Sequence, residues 1–185
     1  MSECLFRYST NADIIPLTKL WQEVFGDGPE LIGAYFRLLW KPGYCVVAEL
    51  DSRIEAMGHC LRGPAAAGLD CAYIYAMATR AGRRGRGLAA EIGRRLISGA
   101  FHEGADVVAT LPADDGLCGW YEARLGMTPL FRKGGPGVEF PAEWYEFARI
   151  CGGHTESTPQ TLRAISRPGT DTRPLSTLGW ECTFD

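Results

Sequence analysis

The residues with most chemical content lie between Tyr73 and Ile92, where Tyr-Ile-Tyr-Ala-Met-Ala-Thr runs into Arg-Ala-Gly-Arg-Arg-Gly-Arg-Gly-Leu-Ala-Ala-Glu-Ile. A strand there enters a turn rich in glycine and arginine and leaves it as a helix. Glycine lets backbone approach a ligand closely, and the N–H groups of a first helical turn lack intrahelical partners, so this arrangement favours an anion such as a pyrophosphate. Arg80, Arg83, Arg84, Arg86, Arg94 and Arg95 stand against Glu91 alone. The segment is therefore cationic in a chain that carries 19 Lys plus Arg against 22 Asp plus Glu, a net charge of −3. Three other readings compete: a merely tight connection, an RNA-contacting Arg-Gly run, and a nucleotide P-loop. The P-loop drops out because no Lys follows Gly87. The nucleic-acid reading is weakened by the net charge and by the lack of interleaved aromatics. The seven cysteines, Cys4, Cys45, Cys60, Cys71, Cys118, Cys151 and Cys182, are never closer than eleven positions. No paired metal or redox spacing occurs, and they read as scattered thiols of a reducing compartment. Cys151-Gly-Gly-His154 has the separation of two ligands but no second pair, so no metal is expected.

Arg84-Gly85-Arg86-Gly87-Leu88-Ala89 fits the Arg/Gln-x-x-Gly-x-Gly/Ala signature of the GNAT superfamily of acyl-CoA N-acyltransferases. Trp120-Tyr121-Glu122-Ala123-Arg124-Leu125-Gly126-Met127 looks like that family's helix-to-strand element, written Tyr-Glu-x-x-Gly-Phe. From about Leu5 to Phe140 the sequence resembles the family in its order of elements. The resemblance implies an acetyltransferase that uses acetyl-CoA as co-substrate and needs no metal. Backbone N–H groups of Arg84, Gly85, Arg86, Gly87, Leu88 and Ala89 would hold the coenzyme pyrophosphate. Met77, Ala78 and Thr79 would pair with the pantetheine amides like an added strand. Tyr121 matches the family's frequent general acid, which protonates the departing thiolate. Its alternative is a packing tyrosine beside Trp120 and Leu117. Where many members carry a strand glutamate as general base, this chain has Tyr73, with Tyr75 on the same face. His59, Glu49 and Glu55 remain candidate bases, and Asp114 or Asp115 replaces an asparagine often found early in the following helix. The implied partner is a small-molecule or peptide amine, with a homodimer left open. A coenzyme A sensor or interaction module is the alternative function, and a nucleic-acid or phosphoprotein reader a third.

These residues need a scaffold, and its elements are legible in the periodicity. A strand at Leu5 to Tyr8 precedes a helix carrying Ile14, Leu17, Leu20, Trp21, Val24 and Phe25 between Asn11 and Gly26, then a second from Pro29 until Lys41-Pro42-Gly43. Tyr44 to Leu50, the pair Asp51-Ser52 and Arg53 to Leu61 read as a hairpin. A loop follows at 63–69, then a central strand at Cys71 to Thr79. A helix from Leu88 to about Phe101, a strand at Asp106 to Leu111, a helix at Asp115 to Arg124 and a strand at Met127 to Arg132 complete the series. The expected class is an α/β fold with a mixed, largely antiparallel sheet flanked by helices and a loop-rich C-terminal tail. An acyltransferase domain is expected over 1–140 and a C-terminal extension packing on or near it over 141–185. From Gly152 to Gly179, 16 of 28 residues are Gly, Pro, Ser or Thr, although a helix at Glu143 to Cys151 and a strand near Trp180 to Phe184 remain expected. The tail is not expected to take part in the coenzyme site. Hydrophobic residues at 46% and charged residues at 22% give a globular balance. No stretch is long and apolar enough for a bilayer, and Met1-Ser2-Glu3-Cys4 opens no signal peptide, so a cytoplasmic protein is expected, binding neither membrane nor nucleic acid.

Overall fold

The computed structural model describes residues 4–152 and 157–185; Met1, Ser2, Glu3 and His154 lie outside them. The chain divides into two compact units, one of Met1–Leu61 with Ile74–Ile97, the other of Arg62–Tyr73 with Ser98–Asp185. The strands follow the order β1-β2-β3-β4-β5-β7-β6-β8 in a mixed, mostly antiparallel sheet, as expected. Their ranges are β1 Leu5–Tyr8, β2 Cys45–Leu50, β3 Arg53–Ala66, β4 Leu69–Thr79, β5 Val107–Thr110, β6 Thr128–Lys133, β7 Thr161–Ser166 and β8 Gly179–Trp180. The helices are α1 Ile14–Phe25, α2 Pro29–Leu38, α3 Leu88–His102, α4 Asp115–Leu125 and α5 Ala142–Cys151.

In the first unit, Thr10 and Asp13 form a capping box just ahead of α1, with Thr10 N donating to Asp13 Oδ2 at 2.8 Å. Gly26 ends the helix at φ +76°, which glycine adopts without a Cβ penalty. Pro29 sits in the first turn of α2, where its missing N–H costs no bond. Asp51 and Ser52 take φ +51° and +60°, the turn that matches the twist of a two-residue hairpin between β2 and β3. Along β3, alternation sends neighbouring residues to opposite faces. His59 packs against Trp21 of α1 and Tyr35 of α2, with ring centroids 5.7 and 5.0 Å away. At Gly58 a Cβ would meet Ile92 Cγ2 of α3 at 2.8 Å. The strand is thus covered on both faces.

The second unit is built around β5, β7 and β6. β7 runs antiparallel to both neighbours, with Val108 opposite Ile165 and Thr128 opposite Ala164, and β8 lies parallel to β6. Trp180 is fully buried, 5.0 Å from Phe131 and stacked on Tyr73 at 5.3 Å. The Tyr73 hydroxyl donates to Thr183 O at 2.7 Å. Two local expectations shift. The segment read as a loop at 63–69 continues β3 to Ala66 and turns only at Ala67 and Gly68. Gly63 absorbs the irregularity inside the strand at φ +115°, so Gly63-Pro64 marks a kink there and no turn. The final strand is confined to Gly179–Trp180.

Candidate active site

The end of β4 departs from regular strand geometry at Ala76, which has φ +50° without being glycine. Such a residue costs about 1–3 kcal/mol, persists only when its surroundings over-determine it, and re-aims the amide groups beside it. Met77, Ala78 and Thr79 follow directly. Beyond them Gly85 and Gly87 take φ +75° and +79°, and a Cβ built on either would find no atom within 4 Å. The turn therefore has open space beside bare backbone at both glycines. Glu91 N donates to Gly87 O at 3.1 Å, the first bond of α3, which leaves the N–H groups of Leu88, Ala89 and Ala90 outside the helical ladder. Among the described residues the N–H groups of Gly85, Arg86 and Gly87 have no backbone acceptor either. A row of donors at a helix N-terminus is an anion cradle. Of the six residues expected to hold pyrophosphate, Gly85, Arg86, Gly87, Leu88 and Ala89 contribute such N–H groups, whereas Arg84 N donates to Ala81 O at 3.4 Å and the Arg84 side chain folds back so that Nε donates to Thr79 O at 3.2 Å.

The candidate bases are committed elsewhere. Glu49 accepts from Arg7 Nη2 at 2.7 Å and Nε at 2.9 Å, and Arg7 also binds Asp13. That guanidinium holds the Asp13 carboxyl down to about 2. Glu55 is buried on β3 beneath two guanidiniums, with Arg80 Nε 3.0 Å from Oε2 and Arg83 Nε 3.5 Å from Oε1. His59 is fully buried, and neither ring nitrogen has a hydrogen-bond partner among the described residues. Burial lowers its pKa to about 3, so the ring is neutral at every ordinary pH. Tyr73, where a base would be expected, is a core residue of the second unit, and Tyr75 packs against Trp21 at 5.6 Å in the first.

In the second unit Tyr121 lies in α4, packed edge-on against Trp120 at 5.0 Å and buried except for a small exposed part. Burial raises its pKa while a hydrogen bond with the Thr110 side chain pulls the other way, and the balance is upward. The phenol keeps its proton at neutral pH, as a donor must. Asp114 caps α4 by accepting from Leu117 N at 3.0 Å, so that acidic residue has a structural task. Sequence reasoning missed the kink at Ala76 and the Glu55–Arg80–Arg83 cluster. Nothing in the composition of β4 marks the kink, and Glu55 lies too far along the chain from the arginines for any local spacing to betray the pairing. Among the described residues no group of three or more His, Cys, Asp or Glu side chains is placed to hold a metal ion. No described helix is long and apolar enough to cross a membrane.

Comparison with known proteins accords with this geometry. The sequence model of the acetyltransferase (GNAT) family matches residues 15–127. No curated protein matches the chain. Among solved structures, a GNAT family N-acetyltransferase from Escherichia coli in complex with CoA is 14% identical with a TM-score of 0.68, covering 100% of this chain and 93% of its own. A GNAT family acetyltransferase from Brucella melitensis in complex with acetyl-CoA is 12% identical with a TM-score of 0.64, covering 99% of both chains. A GCN5-related N-acetyltransferase from Kribbella flavida, 13% identical with a TM-score of 0.57, covers 71% of this chain. The chain spans only 34% of that protein's length, and between 32% and 44% of three other larger neighbours.

Proposed function

The chain belongs to the acetyltransferase (GNAT) family, and from that premise we propose that it moves an acetyl group from acetyl-CoA to a primary amine by direct transfer in a ternary complex. The observation that carries the reading is the row of unpaired backbone N–H groups from Gly85 to Ala90 on the open side of a turn that only glycines shape. Those donors and the bare backbone fit a pyrophosphate. Acetyl-CoA supplies the acetyl group as an activated thioester. In this reading the turn residues Arg84 to Ala89 bind the diphosphate, and the backbone of Met77, Ala78 and Thr79 aligns the pantetheine arm. An amide of the kinked strand polarises the thioester carbonyl. Tyr121 holds a proton at its hydroxyl and delivers it to the departing sulfur. The acceptor amine, a small molecule or a peptide, must attack in its neutral form.

Glu49 and Glu55 are tied to arginines and His59 is sealed in the core, so in this reading water takes the amine proton. A lysine-like amine, with a pKa near 10.4, is then present in reactive form as a fraction that rises about tenfold per pH unit below that value. Thiol release from acetyl-CoA with a panel of primary amines, followed across pH, tests both points. Turnover with at least one amine and a rate that climbs with pH toward the amine's own pKa are expected. A plateau well below that pKa would reveal a base on the protein. The buried, tail-bonded position of Tyr73 favours a second reading, a non-catalytic coenzyme A-binding module, because it offers no carboxylate where many family members have their general base. Saturable coenzyme binding with no turnover on any amine would select it.

A further inference from the structure

Glu55 sits on β3, 24 residues before Thr79, yet it touches the start of the phosphate-binding turn three times. Its backbone carbonyl accepts from Arg80 N at 2.9 Å. Its side chain, 5% exposed, lies 3.0 Å from Arg80 Nε and 3.5 Å from Arg83 Nε, one guanidinium beside each oxygen, as ion pairs in which the Arg80 Nε–Oε2 contact is not aligned as a hydrogen bond. Arg83 N in turn donates to Arg80 O at 2.8 Å, closing a single turn of 3-10 helix over Ala81–Arg83. Arg80 and Arg83 are thus the two ends of the segment that feeds Arg84, and one buried carboxylate holds both. The remaining face of Arg80 pairs with Glu23 of α1. Two guanidiniums are matched by two carboxylates, so the cluster adds no net charge to the cradle. Its effect on an anion is therefore geometric. Without it, a stretch containing Gly82, Gly85 and Gly87 would have to lose its freedom when the ligand arrives.

We infer that Glu55 is a positioning residue for the coenzyme: by clamping Arg80 and Arg83 it pre-forms the Arg84–Ala89 turn for the pyrophosphate. This rests on the proposed placement of the diphosphate at that turn. The two physical effects of Glu55→Gln have opposite signs. Removing a negative charge beside a phosphate site would tighten anion binding by Coulomb attraction. Releasing the clamp would weaken it, because ordering the turn then has to be done at the moment of binding.

The test is titration of coenzyme A, and of pantetheine, into the wild-type chain, Glu55→Gln, Glu55→Asp and Gly87→Val. For Glu55→Gln we expect coenzyme A binding weakened about fivefold or more, with pantetheine, which lacks the pyrophosphate, unaffected. Glu55→Asp keeps the charge and withdraws the carboxylate by one carbon, so it should also weaken coenzyme A binding, by less. If Glu55→Gln does not fold, Glu55→Asp decides alone: charge predicts no change and the clamp predicts a loss. Unchanged or tighter coenzyme A binding in a folded Glu55 variant overturns the inference, as does an equal loss for pantetheine, which would indicate general damage. Gly87→Val separates the two levels. If it leaves coenzyme A affinity intact, the placement of the diphosphate fails; if it weakens binding while the Glu55 variants do not, only the clamp fails.

Discussion

Tyr121 and His59 show how much of a side chain's chemistry comes from what surrounds it. Each is a titratable residue that burial pushes toward its neutral form, Tyr121 upward and His59 down to about 3. For a phenol the neutral form is the proton donor. Tyr121→Phe keeps the ring against Trp120 and removes one proton, so kcat should fall by about 10² to 10⁴ if thiolate departure limits the rate, with acetyl-CoA affinity little altered. A single-turnover rate equal to wild type would make Tyr121 a packing residue and water the acid. For His59 the consequence is stability. The unfolded ring takes up a proton near pH 6.5 and the folded ring only near 3, so stability is complete above 6.5 and falls as pH drops between those values. At about 1.4 kcal/mol per unit, the loss is of the order of a few kcal/mol. Urea midpoints measured from pH 7 to 4 should decline steeply in wild type and much less in His59→Leu; equal slopes would show that the acid sensitivity lies elsewhere. Sequence singled out both residues, but it could not show that Cys45 and His59 pair across the strands under Trp21 and Tyr35. A lone strand histidine carries no sign of which face it occupies.

The strand–turn–helix of β4 and α3 was legible because it is dense in glycines and arginines, which punctuate sequence strongly. β7 was not. Thr161–Ser166 lies in a stretch dominated by turn-forming residues, and its place between β5 and β6 comes from pairing with distant partners such as Val108 and Thr128. That placement changes what a deletion would test. Removing the chain from Gly152 onward strips an interior strand and takes Trp180 from Phe131 and Tyr73, so the truncated chain should lose its cooperative melt and precipitate. A soluble truncation with a sharp transition would contradict the role assigned to β7. In the first unit the corresponding constraint is Gly58, where β3 and α3 approach too closely for a side chain. Gly58→Val places a branched carbon 2.8 Å from Ile92 Cγ2 and 3.1 Å from both Leu96 and Met77. Overpacking of this kind typically costs about 1–3 kcal/mol, to be read from chemical denaturation. An unchanged midpoint would mean that α3 can move aside freely.

Across the whole molecule, backbone and side chains contribute differently to what persists. The family model matches residues 15–127, and neighbours at 12–14% identity share the fold over nearly the entire chain. An amide row survives replacement of most side chains as long as the glycines and the helix start remain. Two short motifs made the family legible, while nothing in the sequence named the amine. The chain is acidic overall, at −3, and of the six arginines from Arg80 to Arg95 four, Arg80, Arg83, Arg94 and Arg95, face Glu23, Glu55 or Glu91, so the backbone N–H row and not a positive field is the feature that would favour an anion. The most direct measurement is calorimetric titration of coenzyme A into the wild-type chain and Gly87→Val. Valine at φ +79° is strained and carries its side chain into the open face of the cradle. Saturable binding by wild type and at least a tenfold loss in the folded variant, about 1.4 kcal/mol, are predicted; equal affinities, or no binding by the wild-type chain, would contradict the account.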